Sequence, residues 1–177
     1  MTEFWMCTKG VNPIPYQNEG GNLIIAQFIE SIPEQAFEGD DSICSVGFSD
    51  RLLNIGNRAY SLCSNLREIR FPDNLESIGD FAFSSCRIKK LTIPKSVLHI
   101  GECAFAHCEA LSELHILGNP SIGPNAFANC FSLKVVRFES PCNYTSSNIF
   151  DKTPNTIIEN KPITFHTPIG TFIRTYD

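Results

Sequence analysis

A nine-residue phrase recurs four times along this chain: IGNRAYSLC at 55–63, IGDFAFSSC at 78–86, IGECAFAHC at 100–108 and IGPNAFANC at 122–130. The leading isoleucines stand at 55, 78, 100 and 122, a period of 22 or 23 residues. Worn copies lie on either side. IPEQAFEGD at 32–40 carries Asp40 in the cysteine slot, and TSSNIFDKT at 145–153 has Ile149-Phe150 in place of alanine and an aromatic ring. A unit this short cannot bury its own apolar residues, so the chain reaches a core only by stacking each unit on the next. That condition points to a solenoid.

A second phrase follows each cysteine slot: LREIRFP (66–72), IKKLTIP (88–94), LSELHIL (111–117) and LKVVRFE (133–139), with ICSVGFS (43–49) as the first. Apolar and polar residues alternate at its end, the mark of a short strand with one buried face. NLIIAQF (22–28) sits at the matching distance upstream, so Leu23 and Ile25 open the series. ITFHTP (163–168) reads as the closing strand, for seven in all, and GTFIRTYD as a short helical cap. Glycine after each phrase-leading isoleucine is expected at a tight corner that needs unusual backbone. Alanine before phenylalanine suits a crowded place between coils. Pro72 and Pro94 end their strands because proline has no donor to offer the ladder.

Taken alone, IGECAFAHC looks like a reaction centre, since Glu102, Cys103, His107 and Cys108 fall within nine residues. Repetition gives a plainer account. Cys63, Cys86, Cys108 and Cys130 occur once per unit and are expected to form a structural column of buried, inert thiols. Cys103 and His107, four apart, would share one face of a helix, but zinc wants four ligands and no second pair is evident. No metal and no cofactor is expected. Cys7, Cys44 and Cys142 fall outside the column and read as ordinary thiols. His99, His115 and His166 assemble no triad with a nucleophile, and no phosphate loop, His-Glu metal pair or nucleophile elbow occurs. The expectation is a protein that is not an enzyme, with no catalytic residues.

Charge narrows the partners. The net charge is −5 and no run of Lys or Arg stands out, which speaks against nucleic acid and against an electrostatic membrane patch. No apolar run approaches the ~18 residues of a spanning helix. The opening MTEFWMCTKG lacks the basic head and apolar stretch of a secretory leader, so a cytoplasmic location with reduced thiols is expected. A chain whose leader had been removed would instead belong at the cell surface or outside the cell, and only there would the Asn143-Tyr144-Thr145 sequon matter.

The two phrases together, I-G-x-x-A-F-x-x-C followed by L-x-x-L-x-I-P, resemble the BspA-type leucine-rich repeat over about residues 22–168. The resemblance implies an α/β right-handed solenoid of about six repeats of 22–23 residues. A parallel β-sheet would line the concave face, with short helices or turns on the convex face. It also implies protein binding without catalysis, in a family whose bacterial and protist members include surface proteins linked to adhesion. Residues 1–28 would form an N-terminal cap and the first strand, with FWMC (4–7) paired antiparallel to 22–27. Residues 29–153 would be the repeats, and 154–177 the last strand and a cap in which Phe172, Ile173 and Tyr176 cover the final layer. With both ends covered, a monomer is expected.

Strand residues pointing away from the core should form rows across the coils. One runs Ile24, Gly47, Arg70, Thr92, His115, Arg137, Thr164, and a second Ser45, Glu68, Lys90, Glu113, Val135. Concave faces of solenoids commonly dock partners, so Arg70, Thr92, His115, Arg137, Glu68, Lys90 and Glu113 are the candidate partner-binding residues, with Arg70, His115 and Arg137 foremost. The expected function is a non-catalytic protein–protein interaction module. Two other readings remain: a structural component of a larger assembly, and a cell-surface adhesin exported without a visible signal.

Overall fold

In a computed structural model, residues 4–6, 14–140, 148–153, 157–160 and 172–175 are described. Cys7, Cys142, the 143–145 sequon, the expected strand at 163–168 with Thr164 and His166, and Tyr176 lie outside them. At the N-terminal end an antiparallel meander runs through β1 (Phe4–Met6), β2 (Ile14–Glu19) and β3 (Asn22–Ile25). The expected direct pairing of β1 with β3 is corrected, because β2 lies between them and pairs with both. Gly20 and Gly21, at φ 60° and 91°, supply the tight turn that makes this possible.

From β3 onward the chain coils, and each coil lays down one strand on each of two sides. The longer strands are β3, β5 (Ser45–Gly47), β7 (Glu68–Arg70), β9 (Lys90–Ile93), β11 (Glu113–Ile116) and β13 (Val135–Phe138). At their centres Leu23, Val46, Ile69, Leu91, Leu114 and Val136 are buried, as the alternation requires. The other side carries a parallel sheet of two-residue strands: β4 (Ser31–Ile32), β6 (Asn54–Ile55), β8 (Ser77–Ile78), β10 (His99–Ile100) and β12 (Ser121–Ile122). The strand that pairs with the far side of β13 is β14 (Ile157–Asn160), which sets Val136 beside Ile158. β15 (Phe172–Thr175) pairs parallel with β14, so the expected helical cap is corrected to a strand. An apolar and β-branched segment of this kind satisfies an open ladder better than it forms an isolated helical turn.

The nine-residue phrase forms turns, and no described residue is helical. Its backbone makes a further ladder. In the first coil the N–H groups of Gln35, Phe37 and Gly39 donate to the carbonyls of Asn57, Ala59 and Ser61 at 2.8–2.9 Å, and the next coil repeats this from Arg58, Tyr60 and Leu62. The fourth and eighth residues of the phrase take positive φ, between 53° and 62° at Arg58, Leu62, Phe81, Ser85, Cys103, His107, Asn125 and Asn129. Such backbone costs a non-glycine residue about 1 kcal/mol or more, and the inter-coil hydrogen bonds offset that cost.

Inside the coils the aromatic slot builds one continuous stack. Phe37, Tyr60, Phe83, Phe105, Phe127 and Phe150 follow one another with ring centroids 5.1–5.7 Å apart and planes within 20° of parallel. Each such pair adds ~0.5–1.5 kcal/mol beyond its buried area. The glycines serve close approach rather than strained backbone, since Gly56, Gly79, Gly101 and Gly123 do not have positive φ. A Cβ on any of them would come within 2.5–2.7 Å of the backbone nitrogen of Glu34, Asn57, Asp80 or Glu102 in the preceding coil. The first coil has no such coil before it, and there the slot holds Pro33.

The bend after the cysteine is shortened in one coil. Leu66, Leu111 and Leu133 each stand three positions after their cysteine, but Ile88 stands only two after Cys86. The other coils close this bend with a hydrogen bond from the leucine N–H to the cysteine carbonyl, at 2.9–3.0 Å. The shortened bend falls where the long-strand side divides, into a sheet ending at β7 and another beginning at β9.

Candidate binding face

On the outer side of the long strands, register places Ile24, Gly47 and Arg70 in one line, and Thr92, His115 and Arg137 in its continuation beyond the β7–β9 junction. Glu159 of β14 takes the next position, where Thr164 was expected. The second line runs Ser45 and Glu68, then Lys90, Glu113 and Val135. All seven candidate residues therefore share one face. Arg70, Thr92, Arg137, Glu68 and Lys90 are exposed, and His115 and Glu113 half-buried.

Part of this charge is spent within the face. Lys90 Nζ meets Glu113 Oε1 at 2.8 Å, and that hydrogen bond, with the positive charges of Lys90 and Arg137, holds the Glu113 carboxyl below the usual range. His115 Nε2 lies 2.8 Å from Oε1 of Glu139, a residue outside the expected rows. Glu139 directly follows β13, and its N–H bonds the Ile116 carbonyl. Exposed pairs of this kind contribute little to stability, but they fix side-chain positions on an otherwise open surface.

The cysteines lie on the other side of the coils, in the interior. Cys63, Cys86, Cys108 and Cys130 are at most 1% exposed. Each thiol donates to the carbonyl of the aromatic residue one coil back: Phe37, Tyr60, Phe83 and Phe105, at 3.0–3.3 Å. Burial pushes Cys63 and Cys130 up to about 12 and raises Cys86 and Cys108 well above the ordinary thiol range. Thiols held this firmly protonated are poor nucleophiles and poor metal ligands.

Cys103 and His107 do not share a helical face, because both occupy left-handed turn positions. His107 Nε2 faces Asn129 Nδ2 of the next coil at 3.4 Å, and the Cys103 thiol is raised by burial and by Glu102 and Asp80. Among the described residues no group of three or more His, Cys, Asp or Glu side chains is placed to hold a metal ion. Among them, too, no helix is long and apolar enough to cross a membrane.

The family pattern described as the BspA type leucine rich repeat region matches residues 30–157 in six copies. The chain belongs to the BspA-type leucine-rich repeat family. No curated protein gives a match to the sequence. Among solved structures, this BspA-type chain is similar to the pneumococcal vaccine antigen PcpA, at a TM-score of 0.68 and 20% identity over 82% of this chain and 37% of that one. A leucine rich cell surface protein from Faecalibacterium prausnitzii gives a TM-score of 0.66 and 23% identity, over 74% and 39% of the two chains. A leucine rich repeat protein of T. pallidum, TpLRR, gives 0.61 and 26% over 70% and 68%. The chain thus spans less than two-fifths of the first two structures.

Proposed function

We propose that this protein is a non-catalytic interaction module that docks a partner protein on the outer face of its long-strand side, with Arg70, Thr92, His115, Arg137, Glu68, Lys90 and Glu113 as the contact set. The observation that carries this reading is the division of labour within each coil. The inward residues and the turn ladders are committed to stacking, whereas from β7 to β13 the sheet face keeps two in-register lines of mostly polar and charged side chains, exposed or half-buried. Such lines, repeated at ~4.8 Å, present a surface that tolerates substitution without disturbing the core. Arginine is enriched where interfaces concentrate their energy, which places Arg70 and Arg137 first.

The test is a double variant, R70E/R137E, used beside the unaltered chain to capture proteins from cells of the source organism. Loss of specific partners at unchanged thermal stability supports the face. Capture that is indifferent to the double variant places the contact elsewhere on the solenoid.

A surface location is the second reading, because two of the similar structures are described as a vaccine antigen and a cell surface protein. On that reading the chain acts as an adhesin. Protease treatment of intact source cells decides it: digestion of this chain without lysis places it outside, and full protection keeps it inside.

A further inference from the structure

We propose that the sheet face holds an acidic segment of its protein partner, laid across the strands with a large apolar residue at the β3–β5 end. This rests on the reading of that face as the docking surface and adds the chemistry of the occupant. The chain is acidic as a whole, with a net charge of −5, but the charge is not evenly spread. The five strand phrases between 43 and 139 hold six basic residues, Arg67, Arg70, Lys89, Lys90, Lys134 and Arg137, against three acidic ones, Glu68, Glu113 and Glu139. The five turn phrases between 32 and 130 reverse the balance, with five acidic residues against a single basic one, Arg58. Folding therefore gives an acidic molecule one cationic side.

All six cations are exposed. Lys90 and Glu113 neutralise one another and Glu139 is engaged by His115, so the other five cations of the phrases stand against Glu68 and, at the far end, Glu159 of β14 in register with Arg137. Arg67, Lys89 and Lys134 stand on the bends that lead into β7, β9 and β13. Backbone bonds link those bends in succession through Ser112, so the three cations border the sheet along one edge. A partner bringing carboxylates gains from this field, and a basic surface is repelled by it. Towards the N-terminal end the character changes. Ile24 is 49% exposed, and beside it Gly47 leaves open space, since a Cβ there would meet only the Leu23 carbonyl at 3.9 Å.

From β3 to β13 there are five inter-strand steps, roughly 24 Å at the usual spacing, which about seven residues of extended chain cover. The interleaved Glu68 and Glu113 disfavour a uniformly anionic polymer such as a nucleic acid or a sulfated glycan. They suit a peptide whose acidic residues alternate with neutral ones.

Panning random dodecapeptides on the immobilised full chain, then titrating the recovered peptides in a salt series, tests this directly. The variant R70E/K89E turns the balance of the strand phrases from six basic against three acidic residues to four against five, and K95E, an exposed change outside the strand phrases, is the control. The expected result is enrichment of Asp and Glu with an apolar residue at one end. Binding should weaken at least tenfold in R70E/K89E and with added salt, and stay unchanged in K95E. Apolar or basic peptides that still lose binding in R70E/K89E overturn the acidic chemistry while leaving the face as the docking surface. Peptides indifferent to both variants overturn the face itself. Tighter binding of heparin than of any recovered peptide, through the same residues, overturns the assignment to a protein segment.

Discussion

The turn side of the solenoid and the long-strand side obey the same repeat but treat a defect differently. On the turn side the phrase keeps its length in every copy, and the short-strand sheet runs unbroken from Ile32 to Ile122. Aromatic rings, thiols and glycine corners sit there in register through successive coils. On the other side the coil from Ile78 is a residue short after Cys86 and the coil from Ile100 a residue short between Leu114 and Ile122, and the long-strand side divides at the first of these, between β7 and β9, while the stack continues beneath it. Stacking is therefore governed by the turn phrase, and the strand face has latitude.

The contrast is broken most sharply at glycine. In Gly101→Ala the new methyl would press on the Asp80 backbone nitrogen at 2.5 Å, and with neither backbone free to yield, a loss of about 2–3 kcal/mol is expected. Gly47→Ala, on the open sheet face, should be neutral or gain about 0.5 kcal/mol from the reduced freedom of the unfolded chain. Urea unfolding of the two variants checks both signs. Equal losses would erase the distinction between the two sides.

Tyr60 offers a smaller effect of the opposite sign. Its ring takes the aromatic slot, between Phe37 and Phe83, but its buried hydroxyl has no hydrogen-bond partner among the described residues. Tyr60→Phe should therefore stabilise the protein by about 1 kcal/mol, read as a raised melting temperature. A drop would mean that the hydroxyl is satisfied in solution.

The smallest expected change comes from repairing the defect. Inserting one asparagine between Cys86 and Arg87 restores the length of the other bends. It should join β7 to β9, seen as slower amide exchange at Lys90 and Leu91, with a stability change under about 1 kcal/mol. A large loss would show that the junction is specified rather than tolerated.

Much of this architecture is legible in the sequence, and the parts that are not have physical reasons. Apolar and polar residues alternate in the strand phrases, so the buried centres at Leu23, Val46, Ile69, Leu91, Leu114 and Val136 follow from spacing alone. β14 is legible too, because Ile158 stands 22 residues after Val136, one period on; ITFHTP at 163–168 alternates more cleanly and so gives the stronger strand signal. The turns are harder. Arg58, Phe81 and Cys103 adopt left-handed backbone that their side chains do not advertise, and only the inter-coil ladder explains it. Glu139 lies just past its strand, and only folding brings it to His115. The cationic side is hidden in the sequence because its residues are spaced a coil apart and never form a run.

The central claim is that the coils stack so that thiols from four of them are sealed inside. Site-resolved alkylation of the native protein tests it, with each cysteine followed separately by mass spectrometry as pH is raised. Exposed Cys44 should label quickly at pH ~8, where ordinary thiols begin to ionise, whereas Cys63, Cys86, Cys108 and Cys130 should label only as fast as the protein unfolds. Their raised pKa values have a stability consequence of definite sign. Above the pH at which thiols of the unfolded chain ionise, the folded state keeps its protons up to about 12 at Cys63 and Cys130, so stability is full at lower pH and is lost as the pH climbs through that window. Labelling of any of the four at the rate of Cys44, under conditions where the fold is intact, would contradict the account.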